Sequence, residues 1–277
     1  MKRRFLILGS IILSLLVVFN LSSAEACTIF NVKGQTGNYF ASNEDWSFTD
    51  PALRVVPGDK SDYGYLVFGW NSYLPGYPQG GVNEQGVCLD WATVAPQNFQ
   101  DAPNRKALDE NLTYKILKEC KSTEEAITLI GQYNCSQLAG EHLLVADRDG
   151  DSCIIEWSGK DYVFLRRKKN YQVITNFCIS NPKIGWYPCN RFKTADETLT
   201  RLVGSGKSKG EGLTVEAVKD ILKDTHQEGD NPTIYSYIVA QESSDLYIFF
   251  NHDYSKYRKI NIPREIKKGA HQINLYQ

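Results

Sequence analysis

Two hydrophobic periods alternate along the chain. CTIFNVK at 27–33 and YFAS at 39–42 are strand-like runs separated by GQTGN, a segment rich in turn formers. Together they predict a hairpin that returns Asn43, Glu44, Asp45 and Trp46 to the neighbourhood of residue 27. YLVF at 65–68 reads as another strand, and GGVNEQG at 80–86 reads as a turn feeding a strand over 87–92. The period then lengthens. Leu108, Leu112, Ile116 and Leu117 recur at helical spacing within 106–118. Ser122 followed by Glu125 forms a capping box that opens a helix over 123–133. Strands resume at 142–146 and 152–157 around an Asp-Gly turn, then at 162–165 and 171–175. Helices are predicted over 191–202 and 214–224, and strands over 234–240 and 246–251 close the chain as a hairpin.

The order is strands, helices, strands, helices, strands. It predicts an α+β protein in which two antiparallel sheets carry helices on their outer faces. No linker or repeat divides residues 27–277, so a single domain is expected there. Gly204 to Gly212 is of low complexity but reads as a loop between helices, and it lacks phosphate-loop spacing.

Composition sharpens this only a little. The 277 residues are 42% hydrophobic and 12% aromatic, which suffices for a core, and the net charge of -1 gives no basic footprint for nucleic acid. Residues 1–26 change the picture more. Lys2, Arg3 and Arg4 precede an apolar run from Phe5 to Leu21, and Ala24-Glu25-Ala26 has the small-x-small form of a signal-peptidase site. The expectation is export to the periplasm or the medium, with no stable membrane insertion once the signal is gone. Cys27 is then the first residue of the mature chain. Glu25 argues against lipidation of that cysteine, because a lipoprotein cut wants small residues just before it.

A terminal cysteine has a chemistry of its own. A thiol attacks an amide as thiolate and needs a base within reach. The α-amine freed at Cys27 has a reference pKa near 7.7–8.0 and can take that proton. Of the 7 cysteines none forms a Cys-x-x-Cys pair, and no His/Cys cluster suggests a metal. In an exported protein Cys178 could pair with Cys189 and Cys120 with Cys135, while Cys88 and Cys153 in apolar strands read equally well as buried free thiols. His142 starts a strand and reads as a structural residue.

The sequence resembles the choloylglycine hydrolase and penicillin V acylase family, linear-amide hydrolases of the N-terminal-nucleophile fold. The resemblance rests on CTIF at 27–30, ASNEDW at 41–46, GGVNEQG at 80–86, HLLVADRDGDSCIIEW at 142–157, VITN at 173–176, CNRF at 189–192 and TIYSYIVA at 233–240. It implies a four-layer αββα sandwich of two antiparallel sheets. It also implies an amidase with Cys27 as nucleophile, Asp45 holding that residue and its amine, Asn176 as an oxyanion donor and Arg191 in the catalytic pocket. The family's second oxyanion donor maps near Thr93. Asn83 reads as a turn residue. Trp46, Trp91 and Thr93 are the candidates for substrate contact, within a wider set of aromatic residues that includes Phe68, Trp70 and Trp186. The expected substrate is a small-molecule N-acyl amide, without cofactor or metal. Acyl transfer by the same fold, a non-enzymatic lipoprotein or binding module, and homo-oligomerisation stay open. Two departures weigh against conjugated bile salts. Ser42 stands where the bile-salt branch has an arginine, and the stretch from Asn176 to Arg191 is short.

Overall fold

The computed structural model describes residues 27–47, 50–203 and 213–275. The expected signal segment 1–26 and the low-complexity loop 204–212 lie outside the described residues. In chain order the first strands are β1 (Thr28–Lys33), β2 (Asn38–Asp45), β3 (Pro51–Val56), β4 (Tyr65–Trp70), β5 (Pro78–Asn83) and β6 (Cys88–Thr93). A short β7 (Lys106–Ala107) precedes helices α1 (Leu112–Glu119) and α2 (Thr123–Ile130), and β8 (Tyr133–Asn134) follows them. Next come β9 (Glu141–Ala146), β10 (Ser152–Trp157), β11 (Tyr162–Arg166) and β12 (Tyr171–Ile174), then α3 (Asn190–Val203) and α4 (Val215–Asp224). The chain closes with β13 (Thr233–Ala240), β14 (Asp245–Phe250), β15 (Asp253–Asn261), α5 (Ile262–Ile266) and β16 (His271–Asn274).

Two antiparallel sheets result. One has the order β12-β1-β2-β13-β14-β15 and the other β11-β10-β9-β6-β5-β4-β3-β16. Strand alternation sorts their side chains into three apolar layers. Ile29, Phe40, Phe68, Leu144 and Tyr237 fill the space between the sheets. Leu89, Trp91, Leu143 and Ile155, on the opposite face of the larger sheet, pack against α1 and α2. Phe30, Val32 and Ile238, on the opposite face of the smaller sheet, pack against α3 and α4. These layers are those of the αββα sandwich expected from the sequence.

Local signals account for the helix ends. Ser122 Oγ accepts from the Glu125 N–H at 3.2 Å, and Glu125 reaches back to the Lys121 N–H at 2.9 Å. The first helix departs from expectation. It starts at Leu112 because Asn111 caps it, its Oδ1 accepting from the Thr113 N–H at 2.9 Å, while Lys106 and Ala107 pair with β8 instead. The glycine-rich stretch also departs. Gly80 and Gly81 lie inside β5, and the turn is confined to the residues up to Gly86, whose φ is 91°. A Cβ on Gly80 would stand 2.7 Å from Asp90 Cγ, and one on Gly81 2.6 Å from the Leu66 carbonyl oxygen. These glycines serve close approach rather than a turn. Asn83 is the turn residue it was read to be, its Oδ1 accepting from the Gln85 and Val87 N–H groups. All seven cysteines are free thiols, so neither suggested disulfide is present.

Candidate active site

Thr28 pairs with Asn43, which sets Cys27 at the start of β1 beside the far end of β2. Cys27 faces the space between the sheets with Ile29, and it is 7% exposed. Period-two alternation from Phe40 puts Ser42 and Glu44 on that same inner face. The Cys27 thiol donates to Glu44 Oε2 at 3.9 Å, and Ser42 Oγ donates to Glu44 Oε1 at 2.6 Å. Asp90 reaches Glu44 from β6 of the other sheet, and the two carboxyl groups are hydrogen-bonded to each other. The Tyr237 hydroxyl donates to Asp90 at 2.5 Å. Burial raises both carboxyl groups above their usual range. Burial first, then the charges of Glu44 and Asp45, push the Cys27 thiol well above its ordinary value. A hydrogen bond from the Asp45 main-chain N–H offsets only part of that rise.

The outer face of β2 carries the second group. Asp45 is fully buried; Oδ1 accepts from the Thr233 hydroxyl, and Oδ2 lies 3.8 Å from Arg191 Nη1. Among the described residues Oδ2 has no hydrogen-bond partner. Burial pushes the carboxyl up to about 8, against the opposing pull of Arg191, Thr233 and Gln227. Arg191, in the first turn of α3, donates through Nη1 to the Cys27 carbonyl at 2.7 Å and to Thr28 Oγ1 at 3.0 Å. Its Nη2 donates to Asn176 Oδ1 at 3.0 Å. A guanidinium has only donors, so this contact fixes which end of the Asn176 amide is oxygen. The NH₂ end then donates one hydrogen to the Thr93 carbonyl at 3.0 Å and keeps the other for a further acceptor. Thus Cys27, Asp45, Asn176 and Arg191, scattered over the sequence, converge through one arginine.

The candidates for substrate contact separate. Trp91 is on the outer face of β6, 2% exposed, with its indole N–H donating to Thr113 of α1 at 2.8 Å. It supports the helix layer and does not border Cys27, because β6 presents Asp90 and Ala92 inward and Trp91 outward. Trp46 is partly buried and stacks on Trp70 with ring centroids 6.2 Å apart, against the inter-sheet core that contains Cys27. Thr93 turns a carbonyl toward Asn176, so in that contact it is an acceptor holding the amide and not an oxyanion donor. It also lines an open pocket of about 470 Å³ with Tyr77, Ser136, Gln137, Gly140 and Glu141. Trp186 is 44% exposed, and its main-chain N–H donates to the Asn176 carbonyl at 2.9 Å.

Sequence reasoning missed Glu44 and Asp90. The signal for Asp90 was a lone acid inside the apolar run VCLDWA, and for Glu44 an acid on the inward parity of β2. At Ser42, where an arginine would add positive charge, the hydroxyl instead serves Glu44. Among the described residues no group of three His, Cys, Asp or Glu side chains is placed to hold a metal ion. Nor is any helix there long and apolar enough to cross a membrane.

Residues 32–231 match the family model described as acyl-coenzyme A:6-aminopenicillanic acid acyl-transferase. No curated protein sequence matches the chain. Among solved structures, a mutant of the conjugated bile acid hydrolase from Clostridium perfringens superposes with a TM-score of 0.69 at 14% identity, covering 89% of this chain and 96% of that one. Penicillin V acylase from Agrobacterium tumefaciens gives a TM-score of 0.69 at 16% identity, covering 90% and 92%. An N-acylethanolamine-hydrolyzing acid amidase ortholog from Caenorhabditis elegans gives 0.53 at 13% identity, covering 78% and 93%. At these identities the likeness is one of fold.

Proposed function

The chain belongs to the acyl-coenzyme A:6-aminopenicillanic acid acyl-transferase family, and from that premise we propose that it is an exported N-terminal-cysteine amidase that cleaves a linear N-acyl amide through an acyl-Cys27 thioester. The observation that carries this reading is the Arg191 guanidinium, which touches the Cys27 carbonyl and Asn176 Oδ1 and lies 3.8 Å from Asp45. It gathers a nucleophile, a carboxylate and an aimed amide N–H at one point, as acyl transfer requires.

In this reading, release of residues 1–26 frees the Cys27 α-amine. The amine takes the thiol proton as sulfur attacks the substrate carbonyl. A C–S bond forms, and the carbonyl electron pair moves to oxygen, where the remaining Asn176 N–H meets it. Collapse of the tetrahedral intermediate breaks the C–N bond, and the leaving amine takes the proton back from the α-ammonium. Water then resolves the thioester. Asp45 supports the cationic amine through its second carboxylate oxygen. Since the thiol is held protonated by burial and by neighbouring acids, proton removal must accompany attack rather than precede it.

The family description names an acyl-transferase, which favours a second reading in which an amine and not water resolves the thioester. One experiment separates the alternatives. The processed chain is offered penicillin V, N-acyl amino acids, acyl homoserine lactones and glycine-conjugated bile acids, with and without hydroxylamine, and its N-terminus is weighed by mass spectrometry. Turnover of at least one amide by a chain with free Cys27 is the expected result. Acyl hydroxamate in excess over free acid favours the transferase. A diacylated Cys27 with no turnover identifies a lipoprotein and ends the enzyme reading.

Asn176→Ala is expected to lower kcat about 100- to 1,000-fold, the usual cost of one oxyanion donor. Its melting temperature should move by only a few degrees. Intact kcat with a collapsed melting temperature would reduce Asn176 to a loop former.

A further inference from the structure

His142 and Glu156 are fully buried and take no part in the chemistry above. They lie on adjacent strands, where Leu143 pairs with Ile155, so the two side chains stand side by side on the inner face of the larger sheet. From there they reach the smaller sheet. His142 Nε2 is 2.6 Å from the carbonyl of Thr175, the residue before Asn176. His142 Nδ1 is 3.2 Å from Glu156 Oε1. The Glu156 carboxylate also accepts from the Ile179 N–H at 2.6 Å and from the Ser180 N–H at 2.9 Å. The main chain is therefore gripped on both sides of Asn176. Ala92 pairs with His142, so the neighbouring Thr93 carbonyl that takes the Asn176 amide hydrogen belongs to the same strand ends.

The proton inventory is constrained. A main-chain carbonyl only accepts, so Nε2 carries a hydrogen. Main-chain N–H groups only donate, so both carboxylate oxygens of Glu156 act as acceptors. Burial would raise that carboxyl, but the hydrogen bond and charge of His142 and the Ser180 contact outweigh it and hold it below the usual range. Nδ1 faces the same carboxylate, so both ring nitrogens and both carboxylate oxygens are engaged. A buried polar pair of this kind is a poor way to gain stability, since apolar residues of equal volume often do as well. What it provides, with every donor and acceptor satisfied, is fixed geometry.

We propose that His142 and Glu156 are positioning residues that set where the Asn176 amide points, by clamping the Thr175 carbonyl and the Ile179 and Ser180 N–H groups onto the larger sheet. This rests on the oxyanion role given to Asn176. Glu156→Gln tests it, because the new NH₂ must face a main-chain N–H that it cannot bond. His142→Gln removes one of the two bonds the ring makes. Acylation of Cys27 in the processed full chain is followed with the fastest amide of the panel, and with p-nitrophenyl acetate if no amide reacts. Each variant is expected to lose about 10- to 100-fold in kcat, with KM within about three-fold, as for a misaimed donor. On an Asn176→Ala background neither should cost more than about two-fold further, because the donor they aim is gone. Glu156→Asp, which keeps the charge, should recover part of the rate; it also serves for the same cycle if the amide variant does not fold.

Equal losses on both backgrounds would make the pair a general structural support and overturn the proposal. So would full activity of both variants beside an impaired Asn176→Ala. A silent Asn176→Ala is a different failure, since it removes the oxyanion reading itself and the inference with it.

Discussion

Cys27→Ser is expected to yield a folded protein with less than about one-thousandth of wild-type amide turnover, the scale seen when a nucleophile is removed. Folding should survive because the change is small. The side chain sits 7% exposed at the rim of the inter-sheet core, and a serine hydroxyl can still donate to Glu44 as the thiol does at 3.9 Å. Activity should not survive. An amine of ordinary basicity can take a thiol proton during attack, but a hydroxyl is a far weaker acid and a poorer nucleophile. The measurement is turnover of the fastest panel substrate beside a thermal melt. Wild-type turnover by a purified, mass-verified variant would remove the thioester mechanism. Loss of both activity and folding would leave the role of the sulfur to be read by trapping the acyl-enzyme in the wild type.

The second large effect concerns the residue before Cys27. A variant beginning Met-Ala26-Cys27 and left uncut should fold and be inactive, because its Cys27 nitrogen is an amide without basicity. A variant beginning Met-Cys27 should become active once the methionine is removed. In the processed enzyme kcat/KM should rise with pH through the amine's pKa, whose reference value is near 7.7–8.0. Asp45 raises that value, while Arg191 and burial lower it. The uncut chain carries a stability signature too. Its Asp45 is raised from 3.8 to about 8, chiefly by burial, so the folded state binds more protons than the unfolded state between those values. That contribution to stability is fully present below about 4 and is lost as pH rises toward 8. The melting temperature of the uncut variant should fall over that window more steeply than that of the processed chain, where an ammonium beside Asp45 favours its charged form. Full activity with Ala26 attached would place the base elsewhere. Glu44, the acceptor of the thiol hydrogen bond, would then be the group to replace.

The environment of the thiol also bears on substrate. With Ser42 in place of an arginine, the groups around the sulfur are the Glu44 and Asp90 carboxyls, and nearby positive charge comes from Arg191 on the main-chain side. This site does not stabilise a free thiolate in advance. It suits attack in which sulfur loses its proton only as the carbonyl is engaged, which makes the position of the Asn176 N–H more consequential.

Several features were legible in the residues alone because each is set by a few neighbours in the chain. The hairpin that returns Asp45 to Cys27 follows from alternation and a five-residue turn segment. The Ser122 capping box, the Asp-Gly turn between β9 and β10, and the order of strands and helices are of the same kind. Cys27 stood out by its place after Ala24-Glu25-Ala26, whereas Asp45, Asn176 and Arg191 entered as site candidates through the resemblance of their motifs to a family. What escaped was set by distance. β15 (DYSKYRKIN) is an edge strand of the smaller sheet with mostly exposed residues, so it carries no apolar run to announce it. Gly80 and Gly81 looked like a turn because the atoms that demand their small size, on Leu66 and Asp90, come from neighbouring strands. Trp91 looked like a pocket residue because its side of β6 depends on which face meets the other sheet.

The sequence by itself determined the α+β layering, since periodicity and turn chemistry act over a few residues, and the resemblance of its motifs put forward Cys27, Asp45, Asn176 and Arg191 as candidates. Only the tertiary structure decided their relations: Arg191 as the hub joining Cys27 to Asn176, Glu44 and Asp90 buried together beside the thiol, and His142 with Glu156 gripping the backbone around Asn176. Each of these contacts joins groups brought together by the stacking of two sheets. Their burial, and hence their charge, exists only once that stacking has removed the water.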